Sequence, residues 1–500
     1  MMKARRFKIN LKSILLCCGA LYIVIYILAA ILRMTYPYEL EAMEGGMVDH
    51  VRQILAGKEL YVPPSLNFVP YAYPPFFYYL AAVFSKLLGV GFFPLRFISF
   101  CASLGIMTLI YLFVRRETND RLWAVTAAAL FAATYKLSDA WFDLARIDSL
   151  FLFFILLFAY LVRFHPARIS YVSAAAVLLL AALTKQSALM IALPLLAYAI
   201  FFEKRNWPYL LGTSAILIGG SIWILNALHH GWYIYYIFDL TGQRWFGKLL
   251  KPRIIGFWTD DMLKPLAVTI FLLFAFLLVE FIAAKKKRFF FYFAFAAGMI
   301  GTAWFSRLEY GAYGNALISA HALLAIGFGL SMAKFWQGVT FPKNDPRRVQ
   351  NVFLFAIGLI QFTILAYNPL LLIPNAADKK AGDHFVKTIA SLQGDVMVPG
   401  HGFLPFLAGK SRYAHEVAVK NLTKIDPGPV KLKLEKEITE AIENRRFNAL
   451  VLDSHNWYRP LLMRNYEFSR IIFPDPKQFW PVTGKRLRPN FIYLPKKPRY

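Results

Sequence analysis

Long apolar runs alternate along this chain with short charged ones. The apolar stretches fall at 13–34, 94–114, 122–135, 149–162, 169–184, 187–202, 207–228, 263–284, 289–305, 316–333 and 352–367. Several are long enough to cross a hydrocarbon core about 30 Å thick. The pattern predicts a polytopic α-helical membrane protein with about eleven transmembrane helices. Alternate connections, RRETNDR, RFHPAR, EKRNW, KKKR and KFWQGVTFPKNDPRR, are rich in Lys and Arg. The positive-inside rule assigns them to the cytoplasm, together with the basic N-terminus that precedes an uncleaved first span. An odd number of spans then places residues 35–93, residues 229–262 and everything after 367 outside.

Beyond residue 367 the pattern changes. PNAADKKAGDHFVKTIASLQG has helical apolar spacing and is followed by the strand-like DVMVP; KLEKEITEAIENRR and FNALVLD repeat the order. Helix then strand, twice, predicts a small α/β domain. The chain thus reads as a transmembrane domain, 1–367, and an external α/β domain, 368–500, whose basic, proline-containing tail suits lipid headgroups.

Composition supports the membrane reading: 58% of residues are hydrophobic and 17% charged, against about 25% charged in soluble domains. The net charge of +27 sits largely in the short connections and the tail. Topology and anionic lipid explain it, and no nucleic-acid partner is called for. Cys17, Cys18 and Cys101 all lie in apolar stretches, which excludes a disulfide framework or a Cys-x-x-Cys metal site.

The chemistry-bearing residues gather in four places. YELEAMEGGMVDHVRQILAG predicts an amphipathic helix on the membrane surface, ending at Gly57. At about 100° per residue, Glu44 falls on the apolar face and Glu41 at its edge, with Glu39 outside it. A carboxylate on an apolar face must be paired, protonated or lining a wet cavity; an acidic face turned to solvent is the competing reading. The aromatic, proline-rich stretch after it contains Tyr73 and suits an interfacial brace. The second place is WFDLARIDSLFLFF, with Asp143, Arg146 and Asp148 where the chain re-enters an apolar run; anchoring or mutual ion pairing is the simpler alternative. The third is LTKQS, where Lys185 either snorkels or binds a lipid phosphate. The fourth is SRLEYGAYGNALISAH, with Arg307, Glu309, Tyr310, Tyr313 and Asn315; His321 beyond it reads as a hydrogen-bonded core histidine. All four share one side of the membrane. Lys185, Arg146 and Arg307 are the cations suited to a phosphate, while Tyr73, Glu309, Tyr310 and Asn315 are candidates for lining a pocket. No G-x-x-x-x-G-K-[ST] or strand-linked G-x-G-x-x-G occurs, so a lipid phosphate fits better than a nucleotide as donor.

These residues resemble the multispanning GT-C glycosyltransferases that use polyprenyl-phosphate sugars, the family of protein O-mannosyltransferases and the aminoarabinose transferase of lipid A. The resemblance rests on the first-loop acids followed by Ile54, Leu55, Gly57 and Tyr61; on Pro74, Pro75 and Phe76; on the paired arginines Arg115 and Arg116 ending the next span; on Ala145, Arg146 and Asp148; and on Leu183, Thr184 and Lys185. It implies a bacterial inner-membrane enzyme, acting on the periplasmic face, that moves a sugar with inversion from a polyprenyl-phosphate donor to a hydroxyl of a lipid, glycan or protein acceptor. Glu44 or Glu41 would be the base and Asp148 a second acid. Lys185 and Arg146 would stabilise the leaving phosphate. The family's Asp-Glu pair maps onto Met43 and Glu44, and its basic residue before Pro-Pro onto Tyr73, which would shift a phosphate contact to Lys86 or Arg96. No cofactor is implied as a rule; some relatives use a divalent metal, for which Glu41, Glu44 and Asp148 are the ligand set to examine. A secondary transporter and a lipid-linked glycan polymerase or ligase are the alternatives.

Overall fold

The computed structural model describes residues 11–165, 167–203, 205–243, 250–309, 311–338, 346–426 and 428–497. Each of the eleven apolar stretches is helical. In chain order the main helices are α1 (Leu11–Met34), α2 (Glu44–Leu55), α3 (Phe76–Leu88), α4 (Phe92–Thr118), α5 (Arg121–Ala133), α6 (Asp148–Phe164), α7 (Arg168–Thr184), α8 (Ala188–Phe202) and α9 (Trp207–Leu228). They continue as α10 (Lys264–Ile282), α11 (Lys286–Arg307), α12 (Ile318–Gly338) and α13 (Pro346–Ile364). Among the described residues, six helical segments are long and apolar enough to cross a membrane, and a bent pair, Val352–Ile364 with Pro369–Ser391, would make a seventh. α5, α6, α7 and α8, at 13, 17, 17 and 15 residues, are shorter than the roughly 20 residues a perpendicular span needs. Among the described residues all eleven apolar stretches are helical, as is α3, and length and composition support a multi-pass protein of six to seven spans.

Local chemistry sets the helix ends. Asp120 caps α5 by accepting from the Trp123 amide, and Asn119 closes α4 in the left-handed region at φ 56°. The apolar window containing α12 is wholly buried, making this the central helix, whereas α9 buries only Leu210 and Ser214. At the Lys/Arg-rich end the charges are paired inside the bundle. Glu117 of α4 accepts from Arg163 of α6 at 2.6 Å and lies 3.2 Å from Arg288 of α11; Glu280 of α10 pairs with Arg288 and with Lys334 of α12.

Three predicted features of the segments 35–93 and 229–262 change. α2 starts at Glu44 rather than near Leu40, so Glu39 and Glu41 precede the helix and the helical-wheel angles do not apply to them. Gly57 does follow its C-cap in the left-handed region, at φ +68°. α2 does not lie on a surface: every residue from Glu44 to Val51 is buried, enclosed between the bundle and the C-terminal region. Gly45 and Gly46 permit this approach, since a Cβ on Gly45 would meet the Phe403 amide at 2.9 Å and one on Gly46 would run into the Tyr71 ring. His50 secures the contact, stacked between Tyr71 and Tyr78, holding the Gly46 carbonyl at 2.6 Å and accepting from the Tyr71 amide at 2.7 Å. Burial pushes its pKa down to about 3, so it serves as a neutral brace. The segment 229–262, read as a loop, is helical over Trp232–Gly242 and Leu250–Leu263 apart from the residues outside the described set.

The C-terminal region forms both expected helix–strand pairs: α14 (Ala376–Ser391) before β1 (Val396–Met397) and, after α15 (Glu416–Ile425), α16 (Pro429–Glu443) before β2 (Ala449–Leu452). β1 and β2 are parallel. β3 (Tyr466–Ile471) and β4 (Phe491–Pro495) add an antiparallel half, giving the order β1-β2-β4-β3. This region is tied to the first loop by His401 to Glu39, Arg412 to the Asp49 carbonyl, and the Ala414 amide to the Leu66 carbonyl.

Candidate active site

At the end of the bundle that meets the C-terminal region, the pairs Arg96–Glu44 and Arg146–Glu41 differ in what they leave free. Glu44 is fully buried and saturated: it accepts from the amides of Leu40 and Ala145, each at 2.7 Å, and from Arg96 Nε at 3.0 Å and Nη2 at 2.6 Å. Arg96 in turn gathers the carbonyls of Arg33, Tyr36 and Tyr38. Its guanidinium and the two amides hold the Glu44 carboxyl below its usual range despite burial. All four lone pairs of Glu44 are thus occupied and Arg96 is committed to Glu44 and three carbonyls, an arrangement that speaks against the base role expected of Glu44 and the phosphate contact expected of Arg96. Asp143 also leaves the site, since it pairs with Arg33 at 2.8 Å and accepts from Tyr135.

Glu41 is different. Its Oε2 accepts from the Met43 amide at 3.1 Å and from Arg146 Nη1 at 3.3 Å; among the described residues its Oε1 has no hydrogen-bond partner. Burial, opposed by Arg146 and reinforced by Glu44, pushes its pKa up to about 7. Arg146 also donates to the Tyr73 hydroxyl at 2.9 Å, lies over the Tyr73 and Trp141 rings, and keeps its buried Nε unpaired among the described residues. Trp141 carries the connection onward by donating to Asp148 Oδ2 at 2.8 Å. Asp148 Oδ1 accepts from Lys185 at 2.8 Å and from Asn315 at 3.3 Å.

Asp148, Lys185 and Asn315 line a small pocket, with room for about one water molecule, lined further by the hydroxyls of Ser187, Thr302, Ser306 and Ser319. One ammonium, one amide and several hydroxyls are the donor set that phosphate oxygens require. Glu41, Arg146, Tyr73, Asp148, Lys185 and Asn315, singled out in four separate stretches of sequence, thus join in one network. Arg307 does not: it is held by Asp261 at 2.7 Å and by the Ala312 carbonyl, so the expected phosphate contact is spent elsewhere. Glu309 is not among the cavity-lining residues, and its carbonyl accepts from Arg253. Tyr310 lies outside the described residues. His321 is the expected core histidine, bonded to Ser138 at 2.8 Å.

Sequence reasoning misses Trp141 as the link, although an indole N–H close in sequence to Arg146 and Asp148 is a usable signal. Glu41, Glu44 and Asp148 do not fit a metal site, because each is committed to a different cation and, among the described residues, no cluster of three or more His, Cys, Asp or Glu is arranged for a metal.

Comparison with known proteins bears on this arrangement. Residues 72–225, which include Tyr73, Arg146, Asp148 and Lys185 but not the first-loop acids, match the family described as dolichyl-phosphate-mannose-protein mannosyltransferase. The crystal structure of ArnT from Cupriavidus metallidurans bound to undecaprenyl phosphate is similar over 95% of this chain and 97% of that one, with TM-score 0.59 and 13% identity. The fold is ArnT-like GT-C. The apo structure of the same ArnT gives TM-score 0.57 over the same shares, also at 13% identity; at that identity the likeness is one of fold. A search of curated protein sequences found no match. Because nearly all of both chains is covered, the GT-C fold takes in the C-terminal region as well as the bundle.

Proposed function

We propose that this protein is an integral-membrane glycosyltransferase that moves a sugar from a polyprenyl-phosphate donor to an acceptor hydroxyl on the external face, with inversion. The observation that carries the proposal is the continuous network Glu41–Arg146–Trp141–Asp148–Lys185, opening on a polar cavity in a GT-C fold. The undecaprenyl phosphate bound to ArnT and the mannosyltransferase match over 72–225 support this donor class. The Lys/Arg-rich connections at the opposite end support a cytoplasmic N-terminus and an external, periplasmic site in a bacterial inner membrane. On that reading residues 1–367 form the transmembrane domain and 368–500 the external one.

In the proposed reaction Glu41 Oε1 takes the acceptor hydroxyl's proton, the oxygen attacks the anomeric carbon, and the bond from that carbon to the phosphate oxygen breaks. The electron pair leaves with polyprenyl phosphate. Lys185, Asn315 and the hydroxyls around them hold its oxygens, and the free Nε–H of Arg146 is a further donor. Asp148 aligns Lys185. With Glu41 ionised, the two cations Arg146 and Lys185 balance the two carboxylates Glu41 and Asp148; once Glu41 is protonated the group carries one positive charge. That charge appears as the phosphate becomes more negative, the condition for electrostatic stabilisation of a leaving group.

Transfer of labelled sugar from a panel of polyprenyl-phosphate sugars by purified protein, with membrane extract as acceptor, tests the proposal. Release of polyprenyl phosphate supports it, and no consumption of any donor overturns it. kcat/KM is expected to rise with pH, reach half its plateau near 7 and level off above about 8, since Glu41 works only when deprotonated and its pKa is pushed up to about 7; a profile flat from pH 5 to 8 would remove Glu41 from the role. Lys185→Met is expected to slow transfer by about 10²–10³-fold, as loss of a pre-organised charge does, which single-turnover measurement of polyprenyl phosphate release reads directly.

A further inference from the structure

Between β3 and β4 the chain leaves the sheet and reaches the bundle. Residues 480–486 cross the first loop. The Thr483 amide donates to the Leu40 carbonyl at 3.2 Å, its hydroxyl donates to the Asp139 carbonyl, and Val482 packs against the apolar core of the bundle. Gly484 follows at φ +70°, a conformation L side chains rarely adopt, and a Cβ there would stand 2.7 Å from Glu41 Cγ and 3.3 Å from Oε1. The base of this segment is rigid: the Trp480 ring lies beneath Arg486 and Arg488 and its Nε1 donates to the Pro476 carbonyl, while Arg488 holds the carbonyls of Asp475 and Gln478.

We propose that residues 480–486 are a strap by which the C-terminal region covers and positions Glu41, with Thr483 and Gly484 as the positioning residues. The proposal rests on Glu41 being the base. Pinned at Leu40 and Asp139, the strap fixes the backbone on both sides of the site, one residue before Glu41 and seven before Arg146. Gly484 lets the backbone of the strap come close over the Glu41 side chain, where a methyl group would stand 2.7 Å from Glu41 Cγ and displace it. The ionisable groups around Glu41 are Glu39 beside it, Glu44 of α2, Arg146 before α6, Tyr71 and Tyr73 before α3, and Lys485 and Arg486 beside Gly484. Burial is the largest influence raising the Glu41 pKa, so a loosened strap lets water in and lowers it.

The test compares Gly484→Ala, Thr483→Val and Thr483→Ser with wild type in two measurements. The first is labelling of Glu41 by a water-soluble carbodiimide and an amine, read by peptide mass spectrometry, which needs no turnover. Labelling is expected to rise several-fold in Gly484→Ala and Thr483→Val and to stay at the wild-type level in Thr483→Ser, which keeps the hydroxyl. The second is the pH profile of transfer. Its acid limb is expected to move down by about one unit in the first two variants, with kcat lowered and donor KM unchanged. Unchanged labelling and an unchanged limb in both variants would overturn the strap. A wild type that consumes no donor would overturn the proposed function instead, with the labelling still deciding whether the strap covers Glu41.

Discussion

Glu41→Gln is expected to slow sugar transfer by about 10²–10⁴-fold, the usual contribution of a positioned general base, without weakening the hold on the donor lipid. The side chain keeps its size and can still accept from the Met43 amide and Arg146. What it loses is the ability to take a proton. Because the neutral amide leaves Arg146 and Lys185 facing Asp148 alone, the site gains net positive charge, so polyprenyl phosphate should bind as tightly as in wild type or more so. Single-turnover release of polyprenyl phosphate and direct binding of the lipid separate the two effects. Transfer at the wild-type rate would show that another group accepts the proton.

Arg96→Met is expected to act on the fold, costing about 3–5 kcal/mol, as removing one partner of a buried ion pair does. The substitution strands the Glu44 carboxylate at a fully buried position and removes the donors for the carbonyls of Arg33, Tyr36 and Tyr38. Thermal unfolding in detergent would show the loss. Adding Glu44→Leu should recover part of it, since an apolar pair no longer carries an uncompensated charge. A single variant that melts like wild type would contradict the reading of this pair as structural. The contrast with Glu41→Gln is the practical one: two carboxylates three residues apart, one failing in chemistry and the other in folding.

The apolar pattern was enough to mark eleven stretches that are helical in the structure, because continuous hydrophobicity at membrane length has few other uses. It could not give the number of spans, which depends on tilt and on lengths that fall short in α5 to α8. Glu41, Arg146, Asp148 and Lys185 were legible because ionisable groups at the ends of apolar runs need a reason. The choice between Glu41 and Glu44 was not. It turns on Arg96, 52 residues from Glu44, and on the Ala145 amide, 101 residues away, and no local period reports contacts at that range. A helical wheel applied from Leu40 also carried Glu41 into a helix that begins only at Glu44. Arg96 did leave a trace, as a lone cation inside the run 94–114. The strap left less: a glycine in a basic tail says nothing of the side chain it lies against.

Arg96 has a consequence for the order in which the molecule is made. One guanidinium closes the turn after α1 through three backbone carbonyls, and the carboxylate it binds also waits for the amide of Ala145. A growing chain that has delivered only α1 and the first loop therefore has nothing to close the loop upon. The contacts that fix the acidic centre are therefore complete only once residues 96 and 145 have both been made, although Glu41 and Glu44 precede them in the chain.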